Sequence, residues 1–107
     1  MAAGLIRHSS KNVTTAGNRV RLVSESTLVC ECVIRGKLAN TGNIFIGDDT
    51  VDSTGYPIQP AEPFRIADLQ YTRLFPKKND PFIDLYHVWI DAEISGEGVN
   101  IIYIDRA

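Results

Sequence analysis

Helical periodicity is almost missing from this chain of 107 residues. Apolar residues recur at period two or in short bounded runs, and turn formers interrupt them about every ten positions, which excludes a helical bundle and favours a sandwich or barrel. Long hydrophobic runs are missing too: none reaches the roughly 20 residues that a membrane-spanning helix requires. Met1 to His8 holds an apolar stretch too short for a signal-peptide core, with no basic residue ahead of it. The expectation is therefore a protein made and kept in a cytoplasm unless it leaves as part of a larger particle, with no membrane partner. Basic excess is missing as well. A net charge of -2, from 11 basic and 13 acidic residues, supplies no electrostatic motive for binding nucleic acid. Arg73, Lys77 and Lys78 form a basic cluster that reads as a solvated loop tip.

Cysteine is scarce, with Cys30 and Cys32 alone, one residue apart in a β-like run. Residues at i and i+2 of a strand share a face, so both thiols are expected as small apolar side chains in a core layer. A disulfide between them would close a very small ring in extended chain, against ordinary disulfide geometry. His8 and His87 stand at no spacing that would complete a metal site with them.

The residues that could carry chemistry do not assemble into a motif. A nucleophilic enzyme needs Ser or Cys beside a base and an orienting acid, and neither histidine sits in such a setting. His87 is expected as a core or interface histidine, and His8 as solvated or partner-bound. Asp48, Asp49 and Asp52 with Thr50 and Ser53 are rich in oxygen ligands, but they lack the Gly and Glu positions of a calcium-binding EF-hand loop. Turn formation by their own side chains accounts for them. Gly36, Gly42, Gly47 and Gly55 punctuate strands and open no helix, so they make no phosphate cradle. Glu31, Glu93 and Glu97 fix no pair for glycoside hydrolysis. No catalytic residue, metal or cofactor is expected. Trp89, the lone tryptophan, with Tyr86 and Tyr71 would be the stacking platform of a carbohydrate-binding module, and packing in a core or interface is the plainer reading.

What is present is a succession of short strands. Thr27 to Ile34 is the clearest, with Leu28, Cys30, Cys32 and Ile34 on one face against Val29, Glu31 and Val33. Asn18 to Val23 forms a shorter strand, with Arg19 and Arg21 keeping its edge soluble. Asn43 to Gly47 sets Ile44 and Ile46 against Phe45. Pro57, Pro60 and Pro63 confine their segment to an edge or loop. Phe64 to Ile66 is a short strand, Pro76 to Pro81 a loop, and Phe82 to Ile90 one long strand with Ile83, Leu85, His87 and Trp89 on a common face. Gly96-Glu97-Gly98 turns the chain into Val99 to Ile104, expected to pair with the preceding strand as a hairpin. Residues 1–17, rich in small and polar types, read as an extended N-terminal arm with at most a weak strand over 12–15. The whole is expected to be all-β: one small antiparallel β-sandwich or jelly-roll-like barrel over residues 18–107, with the arm before it.

The order Asn40-Thr41-Gly42-Asn43-Ile44-Phe45-Ile46-Gly47-Asp48-Asp49-Thr50-Val51, then Gly55-Tyr56-Pro57-Ile58-Gln59-Pro60-Ala61-Glu62-Pro63-Phe64, resembles small structural proteins of tailed bacteriophages. An apolar strand with aromatics, here Leu85 to Ile90, and a glycine turn into a last apolar strand, here Gly98 to Ile104, complete the likeness. It spans about residues 27–104 and rests on the order of turns. The chain departs from the pattern at Pro63, which lacks a backbone donor, and in its Lys77-Lys78 loop. The resemblance implies a virion structural protein, a capsid decoration or cement protein. Such a protein binds the outer surface of the phage head through the major capsid protein, as a homotrimer, and stabilises the shell. A tail or head-to-tail connector component is the neighbouring possibility. On this reading the partner-binding residues are sought in the arm and the first strand: Leu5, Ile6, Arg7, His8, Asn12, Arg19 and Arg21.

Overall fold

In a computed structural model of the chain, residues 5–65 and 83–105 are described. Nine strands are found among them: β1 (Leu5–Asn12), β2 (Val20–Arg21), β3 (Leu28–Gly36), β4 (Ile44–Gly47), β5 (Tyr56–Ile58), β6 (Pro63–Arg65), β7 (Ile83–Asp84), β8 (Trp89–Ala92) and β9 (Gly98–Asp105). They form two antiparallel sheets, one in the order β1-β9-β3-β6 with β7 also on β3, the other β2-β8-β4-β5. Among the described connections only β4 to β5 stays within a sheet; the others carry the chain across to the opposite one. Two interlocked four-stranded sheets of this order, with β7 as an extra short rung, make a jelly roll, the closed-up double Greek key.

One core lies between the sheets. β3 and β9 contribute Val29, Cys32, Ile34, Val99 and Ile101, and the second sheet answers with Ile44, Ile46, Ile58, Ile90 and Ala92. Val13, Leu22, Leu85 and Val88 close the ends from the connecting segments. Ile34, Ile44, Ile58, Leu85 and Ile90 are fully buried, each stabilising the fold by about 1.5–3 kcal/mol through removal of apolar surface from water. The prolines obey the edge rule: Pro57 lies in β5 and Pro63 in β6, each the last strand of its sheet.

Several sequence expectations are corrected. Residues 5–12 are not an arm outside the β domain: they form β1, in register with β9 from Leu5↔Asp105 to Asn12↔Gly98, while 12–15 leads out of the strand into a turn. Val13 then enters the core, which anchors the segment. Phe82 to Ile90 is not one strand. After β7 the chain makes a 3₁₀ turn over Leu85–His87, and Asp84 caps it, accepting from the backbone N–H of Tyr86 at 3.0 Å. The same carboxylate accepts from Thr27 N–H at 2.8 Å and Ser26 hydroxyl at 2.6 Å, so it fixes the crossing from the first sheet to the second. His87, placed by this turn, is exposed instead of facing an apolar layer.

The expected closing hairpin is absent as well: β8 and β9 belong to different sheets, and the 93–97 turn crosses the sandwich. In β3 a bulge shifts the register between Val29 and Glu31. Val29 therefore joins Cys32 and Ile34 in the core, although strict alternation puts it on the other face. Cys32 is a free buried thiol. The expectations for residues 66–82, including the basic cluster, the 76–81 loop and Tyr71, lie outside the described residues, as does the side chain of Cys30.

Candidate interaction surface

The outer face of the β1-β9-β3-β6 sheet follows directly from the strand registers. Val99, Ile101 and Tyr103 turn inward, so Asn100, Ile102 and Ile104 turn outward. Opposite them on β1 stand Ser10, His8 and Ile6, and on β3 Arg35, Val33 and Glu31. Pro63 and Arg65 of β6 pair with Arg35 and Val33. Three cross-strand rows result: Ile6–Ile104–Glu31, then His8–Ile102–Val33–Arg65, then Ser10–Asn100–Arg35–Pro63.

The first two rows hold a contiguous apolar patch. Ile6 is 73% exposed, Ile102 50% and Ile104 37%, with Val33 half-buried beside them. Together with Glu31 they line an open depression, and a second one, lined by His8, Val33, Arg35, Pro63 and Ile102, adjoins it. On the far side the patch is bounded by an ion pair, Arg65 Nη2 to Glu31 Oε2 at 2.6 Å. An apolar centre with a charged rim on a rigid sheet has the make-up of a protein-docking surface, because burying it on a partner recovers free energy that solvent exposure withholds.

The residues sought from sequence divide between two places. Ile6 and His8 belong to this face; Leu5 and Arg7 alternate with them along β1, and Asn12 ends it, its Oδ1 accepting from Lys37 Nζ at 2.8 Å. Arg19 and Arg21 lie at β2, in the other sheet. Ile102, Ile104 and Val33 were not among the sought residues, yet the signal was there: the last strand carries apolar residues on both of its faces, and a two-layer sandwich needs only one.

At β2 the Arg21 guanidinium lies over two rings, 3.9 Å from the Tyr86 centroid and 4.6 Å from that of Trp89, and Nη1 donates to the Tyr86 carbonyl at 2.7 Å. One face of each ring is thus occupied by the chain's own cation. The polar loop after β4 turns on itself: Asp48 accepts from the N–H and hydroxyl of Thr50, and Asp52 from those of Thr54. Both carboxyls are held below their ordinary range chiefly by those threonine hydroxyls. No grouping of three or more metal-ligating side chains occurs among the described residues. Burial raises the Cys32 thiol to about 12, which keeps it protonated and unreactive at neutral pH.

Compared with known proteins, the chain matches no family model, no curated protein and no solved structure.

Proposed function

We propose that this protein is a structural component of a tailed-phage virion, a decoration protein that seats on the outer surface of the head and stabilises the shell, assembling there as a trimer. The observation that carries the reading is the exposed apolar patch of Ile6, Ile102, Ile104 and Val33 on a rigid sheet face. Such a surface is suited to binding another protein and has little use in a monomer that acts on small molecules. The turn order from Asn40 to Phe64 supplies the phage connection by resemblance. The jelly roll is a fold used by capsid proteins, although lectins and cupins share it, so the fold raises this reading without deciding it.

On this reading the partners are the major capsid protein and other copies of the chain, and the place of action is the virion after synthesis in the host cytoplasm. A connector or tail component would use the same patch at a single vertex. The test is to mix purified protein with heads of the phage that encodes it and count bound copies by cryo-electron microscopy. Many copies arranged on the shell lattice support decoration. A single ring at one vertex supports the connector, and no binding to heads or tails rejects both. Ile102→Glu with Ile104→Glu, which leaves the inward face of β9 intact, is expected to abolish occupancy.

A further inference from the structure

Among the described strands β1 is the one long edge. It runs for eight residues, contains no proline and pairs only with β9, whereas the edges β2, β5 and β6 have two or three residues and the last two carry proline. Short edges and missing N–H groups are devices by which sheets refuse further strands, and β1 has neither. Ile6, Arg7, His8, Ser9 and Ser10 are all exposed, so both faces of this edge stand clear of the rest of the chain.

The direction of its backbone groups follows from a neighbouring bond. Val13 N–H donates to the Glu97 carbonyl at 2.9 Å, toward β9, and successive strand residues direct their N–H and C=O to opposite sides. Residues 7, 9 and 11 therefore bond to β9. Ile6, His8 and Ser10 hold both groups toward the open side, and so does Asn12 at the strand's end.

A second copy of β1 complements this row in one register. Antiparallel pairing centred on His8 sets His8 against His8 and Ile6 against Ser10, each facing pair exchanging both of its N–H···O=C bonds about a two-fold axis. The charged residues agree with it. Arg7, which already has a partner in its own chain, lies opposite Ser9, and Lys11 opposite Leu5, so no like charges meet. Centring the pair on Ser9 sets Arg7 against Lys11 twice, and centring it on Arg7 sets that residue against itself, both unfavourable. Centres at Ile6 or Ser10 carry the far end of each strand past the end of its partner.

This pairing also joins the outer faces of the two sheets. Residues opposite one another in a ladder point to the same side. The row Val33–Ile102–His8 of one copy therefore runs on into His8–Ile102–Val33 of the other, and the apolar patches of both copies flank a single axis.

We infer that β1 is a two-fold interface between copies of this chain, antiparallel and centred on His8, which joins two sandwiches through one continuous sheet and presents their patches as one docking surface. The contact uses the edge of the sheet, whereas the virion reading concerns its face, so either can fail without the other. On a shell, the edge would link a copy in one trimer to a copy in the next.

The experiment uses the full chain alone. An edge contact of this size falls among weak interfaces, so sedimentation equilibrium and ¹⁵N amide shifts are followed up to about 1 mM. The expected result is a mass that rises from one chain toward two, with concentration-dependent shifts centred on the amides of Ile6, His8 and Ser10. Charge then tests the register. His8→Lys and His8→Asp, both on an exposed side chain, each set like charges together at the axis and should weaken pairing about fivefold, whereas an equimolar mixture of the two variants should pair at least as well as the parent. Ser10→Pro removes an outward N–H without touching the β1–β9 ladder and should abolish pairing; should that variant misfold, the His8 variants decide alone. A monomer at every concentration, a larger species in which the β1 amides do not shift, or a mixture of the His8 variants that pairs no better than either variant by itself would each overturn the two-fold interface.

Discussion

The side chain of Asn40 pairs with Gly98 as one strand pairs with another: Nδ2 donates to the Gly98 carbonyl at 2.8 Å, and Oδ1 accepts its N–H at 3.3 Å. Asn40 is buried, and a Cβ on Gly98 would collide with the Lys11 carbonyl oxygen. The glycine thus lets the first sheet close tightly on β1, and the amide satisfies the backbone groups left at the start of β9. Asn40→Ala leaves the Gly98 N–H unsatisfied, while the Gly98 carbonyl keeps the Lys37 N–H at 3.1 Å, and is expected to cost about 1–3 kcal/mol. Asn40→Asp adds a carboxylate facing the Gly98 carbonyl and should cost more. Urea unfolding checks this: the midpoint should fall with the slope unchanged. A cost below about 0.5 kcal/mol for either variant would show that water replaces the amide.

The same end of the sandwich has an acid-sensitive latch. Glu97 accepts from Thr41 N–H at 2.7 Å, Thr41 hydroxyl at 2.9 Å and Gly42 N–H at 2.9 Å, which ties the 37–43 segment to the turn before β9. Loss of hydration raises its affinity for a proton, but the donors from Gly42 and Thr41 outweigh this and leave the carboxyl below its ordinary 4.5. Asp84 is likewise lowered, first by the Ser26 hydroxyl and then by the N–H groups of Tyr86 and Thr27. Folded pKa values below unfolded ones mean that the unfolded chain binds more protons. This stabilisation is therefore present above the ordinary carboxylate range and lost as pH falls through the folded values. Thermal melts from pH 6 downward should show a loss beginning near pH 4–5, and Glu97→Gln should flatten that acid limb. An unaltered limb would remove Glu97 from the account.

Much of this architecture could be read from residue order, and the failures have particular causes. Alternation grouped Ile44 with Ile46 on one face, and the two do meet in the core between the sheets, because packing against a second layer imposes period two. It misassigned Val29 because a bulge adds a residue without leaving a compositional mark. It ran Phe82 to Ile90 together because the break depends on Asp84, whose capping partners Ser26 and Thr27 lie more than fifty residues away. β1 escaped detection because Arg7, Ser9 and Lys11 occupy the inward positions of an edge strand, where ladder bonds to β9, and not apolar burial, hold the segment. The surface patch was half visible: Ile6 was sought, whereas Ile102 and Ile104 needed the register to show that they share its face.

Cys32 offers a check on the core. Its thiol, raised to about 12 by burial, is almost wholly protonated at pH 8, and thiolate is the form that alkylates. Iodoacetamide labelling, read residue by residue by mass spectrometry, should leave Cys32 unmodified in the native protein and label it fully in urea. Cys32→Ser puts a hydroxyl into an apolar layer and is expected to destabilise by about 1–3 kcal/mol. Rapid native labelling of Cys32 would contradict its burial between the sheets.

Arg21 is expected to matter through its planar shape as much as its charge. Its guanidinium lies over both Tyr86 and Trp89 while donating to the Tyr86 carbonyl, so it joins β2 to the 3₁₀ turn and to β8. Lysine keeps the charge but has no flat face for two rings and no fork to reach the carbonyl at the same time. Arg21→Lys should therefore recover little of what Arg21→Ala loses, with both variants costing about 1–2 kcal/mol. Trp89 is the only tryptophan, so its fluorescence reports on this contact alone, and both variants should shift its emission. Full rescue of stability and emission by lysine would reduce the interaction to simple charge; no change in either variant would mean that the stack contributes nothing to holding β2 in place.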